Sequence, residues 1–232
     1  MALSSYAKIN LTLKVNSKNK NNLHEIQSYF CLIDLADKIK IKKINGKKDK
    51  ISFKGPFAKL VSKSNNSVIN LFKLLRNLGL ISRFYSITII KNIPVFAGLG
   101  GGTGNAASIL KHLFKGKIDS SLSNLVGNKI GSDFKLFFYN QGFLKNLSSI
   151  INLKKKQKLF FVLIQPNVKC RTKEIYARVE KFSKIKPLNK RLINTQSNLI
   201  NYLSNNSNDL QSIVEKKYPI IKELLGNIES EK

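Results

Sequence analysis

The sequence predicts an α+β protein. Three observations carry that expectation. The first half alternates period-two apolar segments, the pattern of half-buried strands, with segments whose apolar residues fall three and four apart. The second half shows mainly the helical spacing. A chain of 232 residues that is 42% hydrophobic can bury a large core.

In order along the chain, AKINLTLKV (7–15) alternates as a strand, 25–44 reads as strand pieces, and ISFKG (51–55) reads as a further strand, all expected in one sheet. SVINLFKLLRNLGL (67–80) has helical spacing and a C-terminal glycine signal at Gly79. YSITIIKNIPVFAG (85–98) is expected to be a strand running into a loop, and NAASILKHLFKG (105–116) a helix leaving it, closed by Gly116. SLSNLVGNKIG (121–131) reads as helix. LFFVLIQP (159–166) reads as a buried strand stopped by Pro166, and 173–182, 196–204 and 207–228 read as helices.

Between that strand and helix lies PVFAGLGGGTGNAA (94–107), with five of the chain's 13 glycines. Glycines let successive N–H groups point inward and let backbone approach a bulky anion, and a helix N-terminus adds free donors and a positive dipole end. The loop is therefore suited to phosphate. It is neither a Walker A loop, which needs GK[ST], nor the dinucleotide fingerprint, whose glycine spacing and downstream acid are missing.

Charge is the strongest compositional signal: 41 Lys+Arg against 13 Asp+Glu, formally +28. The excess is mostly Lys, is spread over the whole chain, and comes with a surplus of Asn and Ile, while Arg is scarce. That distribution fits compositional drift better than a nucleic-acid footprint, and runs such as 38–50 and KKKQK (154–158) read as solvated faces. An anionic small substrate would be drawn to the same field. Cys31 and Cys170 have no CxxC neighbour and read as ordinary thiols. No run approaches the roughly 18 to 20 apolar residues of a membrane helix, and MALSSYAKINL lacks a basic segment followed by an apolar one, so the expectation is a cytoplasmic protein without a membrane partner.

PxxAGLGGG[ST]xNAA is similar to the central motif of the GHMP kinases. Three further segments resemble the family in order and spacing: AKINL (7–11), LHEIQSYFCLIDLAD (23–37) and IGSDFKLFF (130–138). The triple-glycine form resembles the branch that phosphorylates an alcohol carrying a cytidine diphosphate in isoprenoid precursor biosynthesis. The resemblance implies a two-lobed fold. An ATP-binding lobe over 1–150 would resemble the second domain of a small-subunit ribosomal protein, with a shortened α+β lobe over 151–232 and the site in a cleft between them. ATP and Mg²⁺ are the implied cofactors. The oligomeric state stays open between monomer and homodimer.

By the same resemblance Asp133 is the base or orienting carboxylate beside the acceptor hydroxyl, and Lys8 pairs with it and stabilises charge on the moving phosphoryl group. Pro94, Gly98, Leu99, Gly100, Gly101, Gly102 and Thr103 fall on the nucleotide side, with the Thr103 hydroxyl toward phosphate or Mg²⁺. Asn105 would open the following helix, and Asn66 matches a nucleotide-side position while also reading as a plain N-cap. A side chain at Gly101 is expected to project into the phosphate path and leave the fold largely intact. Asn10 lies near the acceptor, His24 hydrogen-bonds cytosine, and Phe30 stacks on the base or belongs to the core.

The chain also departs from the family pattern. Leu23 stands where an aromatic usually precedes the histidine, Gly104 replaces a second hydroxyl, Lys135 replaces a proline, and only Gly142 remains of a glycine-rich hairpin. Residue 232 falls before the family's third motif, a glycine-rich MTGSGxxxF segment. An active kinase is the first expectation. A degenerate member that still binds nucleotide and a basic nucleic-acid-binding module on the same fold are the alternatives.

Overall fold

The computed structural model describes residues 2–20, 23–153, 156–189 and 193–230; Lys154 and Lys155 of the basic run 154–158 lie outside them. The chain forms two compact units whose segments interleave: Met1–Ile9, Leu32–Val95 and Leu99–Asn140 in the first, Asn10–Cys31, Phe96–Gly98 and Gln141–Lys232 in the second. No single boundary near residue 150 separates them.

In the first unit, β4 (Lys50–Lys54) and β5 (Phe84–Ile90) pair in parallel, with α1 (Ser67–Asn77) in the connection between them. The second half of β3 (His24–Ile44) runs antiparallel to β5, from Lys38 opposite Ile90 to Ile44 opposite Phe84. The alternation of β5 buries Tyr85, Ile87 and Ile89, while α1 buries Val68, Leu71, Phe72 and Leu75 at the i, i+3, i+4, i+7 spacing of one helix face. Ala106, Ala107, Ile109 and Leu110 of α2 (Gly101–Leu113), Val126 of α3 (Ser120–Ile130), and Phe134 and Phe137 of the 3₁₀ turn Ser132–Phe138 complete this core. Asn66 caps α1, its carboxamide oxygen accepting from Val68 N (3.1 Å) and Ile69 N (3.1 Å). Gly79 and Gly116 follow their helices at φ +67° and +77°, as the C-terminal glycine signals predict.

In the second unit the first half of β3 pairs antiparallel with β2 (Lys14–Lys18) and with β6 (Gln141–Asn146), which turns back into β7 (Ser149–Asn152). Tyr29, Phe143, Leu153, Ile193 and Leu199 form its core. α4 (Thr172–Tyr176), α5 (Gln196–Ser204), α6 (Gln211–Lys217) and α7 (Pro219–Ser230) follow. α6 stops at Tyr218, held out of helical geometry at φ −129°, ψ 83° before Pro219, and that proline starts α7 at the position where its missing N–H costs nothing.

Three expectations are corrected. The strand read over 7–15 is two strands: β1 (Leu3–Asn10) ends where Leu11 N and Thr12 N both turn to Tyr29 O, at 2.8 and 3.3 Å. The strand pieces over 25–44 are one continuous 21-residue strand. The apolar run 159–166 has no regular structure and is exposed over 160–165, Phe160 at 81% and Val162 at 88%, while Leu159 packs half-buried against the core of the second unit. An apolar run states only what a strand would bury; forming one needs a ladder partner, and among the described residues none pairs with this segment. Among the described residues no helix is long and apolar enough to cross a membrane.

The contrast between these apolar positions is measurable. Leu75→Ala, in the core of the first unit, should lower unfolding free energy by about 3 kcal/mol. Val162→Thr should stay within about 0.5 kcal/mol. Urea midpoints at constant slope compare the two, and a loss at Val162 matching that at Leu75 would mean that 159–166 is core after all.

Candidate active site

The site of the first unit starts from β1. Lys8, near the end of that strand, is 1% exposed, and its ammonium lies 2.9 Å from Asp133 Oδ2, on a carboxylate one third exposed. Such an ammonium stays buried only with a partner, and Asp133 is the one it has here. The 3₁₀ turn holds the carboxylate in place: Gly131 precedes it at φ 149°, its N–H bonded to Gly127 O at the end of α3, and Phe134 N closes onto Gly131 O. Lys8 N also donates to Leu99 O at 3.0 Å, tying β1 to the glycine loop.

The loop becomes helix within its own glycines. α2 begins at Gly101 with Gly100 as N-cap in the left-handed region (φ 67°), and no side chain caps its first turn. Its leading N–H groups are therefore free for an anion, and the helix dipole adds to their pull. Two further N-terminal ends come close. Ser67 Oγ, at the start of α1, lies 3.2 Å from where a Cβ on Gly102 would be, and Thr103 Oγ1 lies 3.7 Å from the Cβ position of Gly131, ahead of Asp133. Lys8, Asp133, Leu99, Gly100, Gly101, Gly102, Thr103 and the α1 terminus that carries Asn66 are thus brought together. The Asn66 side chain itself is engaged as a cap, its Nδ2 donating to Ser62 O at 2.8 Å. Pro94 lies in the connection between β5 and α2, next to the fully buried Ile93.

Two assignments from sequence change. Asn105 does not open α2; it sits in the second turn, buried, with Oδ1 lacking any hydrogen-bond partner. Gly101 is a packing glycine: a Cβ there would meet Ile93 Cγ2 at 3.0 Å and Lys91 Nζ at 3.1 Å, inside the protein and not in a ligand's path. Similarly, Gly100 and Gly104 leave room for the Phe137 ring, which would stand 2.7 and 2.8 Å from their Cβ positions. Of the loop glycines, Gly98 (φ 72°) has nothing within 4 Å of a Cβ, so only its backbone conformation demands glycine.

In the second unit His24 starts β3, with its ring 5.2 Å from that of Tyr176 and 6.4 Å from that of Phe182, tilted by 33° and 35°. Burial, and then the charge of Lys18, lower its pKa from 6.5, which favours the neutral ring with one donor and one acceptor nitrogen. The sequence pointed to Leu23 as a lost aromatic and gave no sign of Tyr176 or Phe182, which lie more than 150 positions away and reach His24 only through the fold. Asn10 accepts a hydrogen bond from Ser28 Oγ at 3.0 Å. Phe30 is core: it is fully buried, with Cζ 3.1 Å from the Cβ position of Gly142, and presents no face for stacking.

The chain is similar to known proteins over most of its length. Residues 66–133 match the GHMP kinases N terminal domain. The 4-diphosphocytidyl-2-C-methyl-D-erythritol kinase of Pelagibacter ubique is 39% identical over 229 residues, 96% of this chain and 79% of that protein. The protein of that name from Ureaplasma parvum is 32% identical over 238 residues, 96% of this chain and 86% of that one. Among solved structures, a 4-(cytidine 5'-diphospho)-2C-methyl-D-erythritol kinase superposes with a TM-score of 0.66 at 23% identity, over 99% of this chain and 83% of that one. A homoserine kinase from Cytophaga hutchinsonii superposes with a TM-score of 0.54 at 14% identity, over 78% and 60%.

Two measurements bear on this geometry. Gly101→Val should destabilise the fold by about 1–3 kcal/mol through overpacking against Ile93 and Lys91. Gly98→Ala should cost about 1–2 kcal/mol from backbone conformation alone. A thermal melt of Gly101→Val matching wild type would mean the space beneath α2 is looser than described. The His24 ring should titrate below pH 6.5 by NMR, with Lys18→Ala moving the midpoint upward. Because the folded value is depressed, the associated stability is fully present above pH 6.5 and is lost as pH falls toward the folded midpoint. A midpoint at or above 6.5 would contradict it.

Proposed function

The chain belongs to the GHMP kinases, in the branch of 4-diphosphocytidyl-2-C-methyl-D-erythritol kinases, and we propose that it transfers the γ-phosphoryl group of ATP to the 2-hydroxyl of that cytidyl alcohol. It is a small-molecule kinase, and the reaction is a step of non-mevalonate isoprenoid precursor biosynthesis carried out in the cytoplasm. The observation that carries this reading is the Lys8–Asp133 pair, 2.9 Å apart, in the unit where α2 begins without a side-chain cap.

Phosphoryl transfer asks a protein for positioning and charge stabilisation more than for covalent chemistry. The Asp133 carboxylate orients the 2-hydroxyl and accepts its proton as the oxygen bonds to the γ-phosphorus and the bond to the β-phosphate oxygen breaks. The Lys8 ammonium stabilises charge on the equatorial oxygens of the phosphoryl group in flight. Backbone N–H groups of Gly101, Gly102 and Thr103 hold the nucleotide phosphates, with Gly98, Leu99 and Gly100 shaping the approach. Among the described residues no cluster of three or more His, Cys, Asp or Glu side chains could hold a metal ion; a Mg²⁺ bound with the nucleotide phosphates would have the Thr103 hydroxyl beside it. Such an ion would supply neutralisation of the phosphate charge. Neutral His24 reads the cytosine edge, with the Tyr176 and Phe182 rings beside it offering aromatic faces.

Turnover of the cytidyl alcohol by wild type is the first measurement. Asp133→Asn keeps shape and hydrogen bonding while removing the charge, and should cut kcat by two or more orders of magnitude, about 3 kcal/mol of barrier, with ATP affinity little changed. His24→Ala should instead raise the KM of the cytidyl acceptor more than it lowers kcat. Equal activity in Asp133→Asn overturns the base assignment, and an unchanged KM in His24→Ala points to a different alcohol.

A further inference from the structure

Beneath the first turn of α2 lies a second buried ion pair that the chemistry above does not use. Lys91 donates to Asp37 Oδ2, and both side chains are almost wholly inaccessible. The other carboxylate oxygen of Asp37 accepts from Asn92 N at 2.8 Å and Ile93 N at 2.9 Å, and Asn92 Nδ2 returns a bond to Ala36 O at 3.0 Å. The backbone of Lys91 is fixed as well, its N–H on Lys54 O at 2.7 Å. One carboxylate on β3 therefore fixes the three residues that leave β5 toward the glycine loop. On those residues α2 rests, since the Cβ position of Gly101 is 3.1 Å from Lys91 Nζ and 3.0 Å from Ile93 Cγ2.

Stability alone does not account for this arrangement. A buried ion pair is often no better for folding than apolar residues of the same volume, because desolvation offsets the attraction. Burial does act against the Lys91 charge, lowering its pKa, and Asp37 opposes that shift by charge and hydrogen bond. Moreover an ammonium close to the positive end of a helix is repelled by it. A polyanion at that helix end reverses the sign, because ammonium and helix dipole then attract the same ligand.

We propose that Lys91 and Asp37 are positioning residues for the nucleotide phosphates: Asp37 fixes the floor on which Gly101 packs, and Lys91 adds a fixed positive charge behind the N–H groups of α2 without touching the ligand. The proposal rests on the nucleotide reading of the glycine loop given above.

The test is steady-state kinetics of the intact protein with both substrates, together with a thermal melt, on the double variant Lys91→Met/Asp37→Asn. That pair of changes removes both charges, fills the lysine's space and keeps an oxygen for Asn92 N and Ile93 N. The expected result is a KM for ATP raised about tenfold or more, with the acceptor KM within about twofold of wild type and the melting temperature unchanged or higher. Should the double variant not fold, Lys91→Gln, which removes the charge but keeps a donor for Asp37, is expected to give the same split. Unchanged ATP KM overturns the proposal, as does a rise in both KM values together with a lowered melting temperature, the signature of a merely structural pair. Calorimetry on wild type separates the two levels: no ATP binding by wild type removes the nucleotide reading and this proposal together, whereas normal binding by both proteins removes this proposal alone.

Discussion

Much of the first unit depends on how closely the start of α2 approaches its surroundings. Phe137 fills the space that side chains at Gly100 and Gly104 would take, Ile93 and Lys91 fill that of Gly101, and Ser67 Oγ that of Gly102. With no Cβ atoms in the way, the helix end can settle between β1, α1 and the 3₁₀ turn and keep its N–H groups free of side-chain caps. The glycine run is thus a packing solution as much as a binding one. The backbone proposed to face a phosphate is held in place because its other side is crowded.

That approach also explains why two lysines of a very basic chain are buried instead of solvated. Lys8 and Lys91 each meet one carboxylate, Asp133 and Asp37, in the same unit as the α2 terminus. The two pairs differ in what the carboxylate has left to do. Asp37 is wholly enclosed and its oxygens are taken by an ammonium and two backbone N–H groups. Asp133 is one third exposed and, among the described residues, no backbone N–H donates to it, so its carboxylate keeps hydrogen-bonding capacity to spare. Burial and remaining hydrogen-bond capacity, more than charge, separate a structural carboxylate from a reactive one. Each of these pairs is neutral, so the whole net charge of +28 lies on the rest of the chain, where solvated lysines on strand and helix faces cost little.

The second unit shows a different kind of economy. His24 opens β3, and the aromatic side chains beside it come from α4 and the segment that follows, Tyr176 and Phe182. The local sequence offers no aromatic at Leu23, and the rings that stand beside His24 come from a distance in the chain. Meanwhile Phe30, on the same strand as His24, fills core space above the bare Gly142 and contributes to packing only.

What the sequence determined by itself was local: the N-cap at Asn66, the glycine ends at Gly79 and Gly116, the alternation of β5, and the glycine loop between a strand and a helix. Each is a signal written in neighbouring residues, where backbone preference and periodicity act. The pairing of Lys8 with Asp133 was legible only through resemblance, since 125 positions separate them. Tertiary structure alone decided the rest. It made Gly101 a packing glycine, Phe30 a core residue, Asn105 an interior one and Asp37 the anchor of the loop, and among the described residues it left the apolar run 159–166 without a ladder. The physical reason is the same in every case: burial and hydrogen-bond partnership are properties of what a residue meets, and those neighbours come from distant parts of the chain.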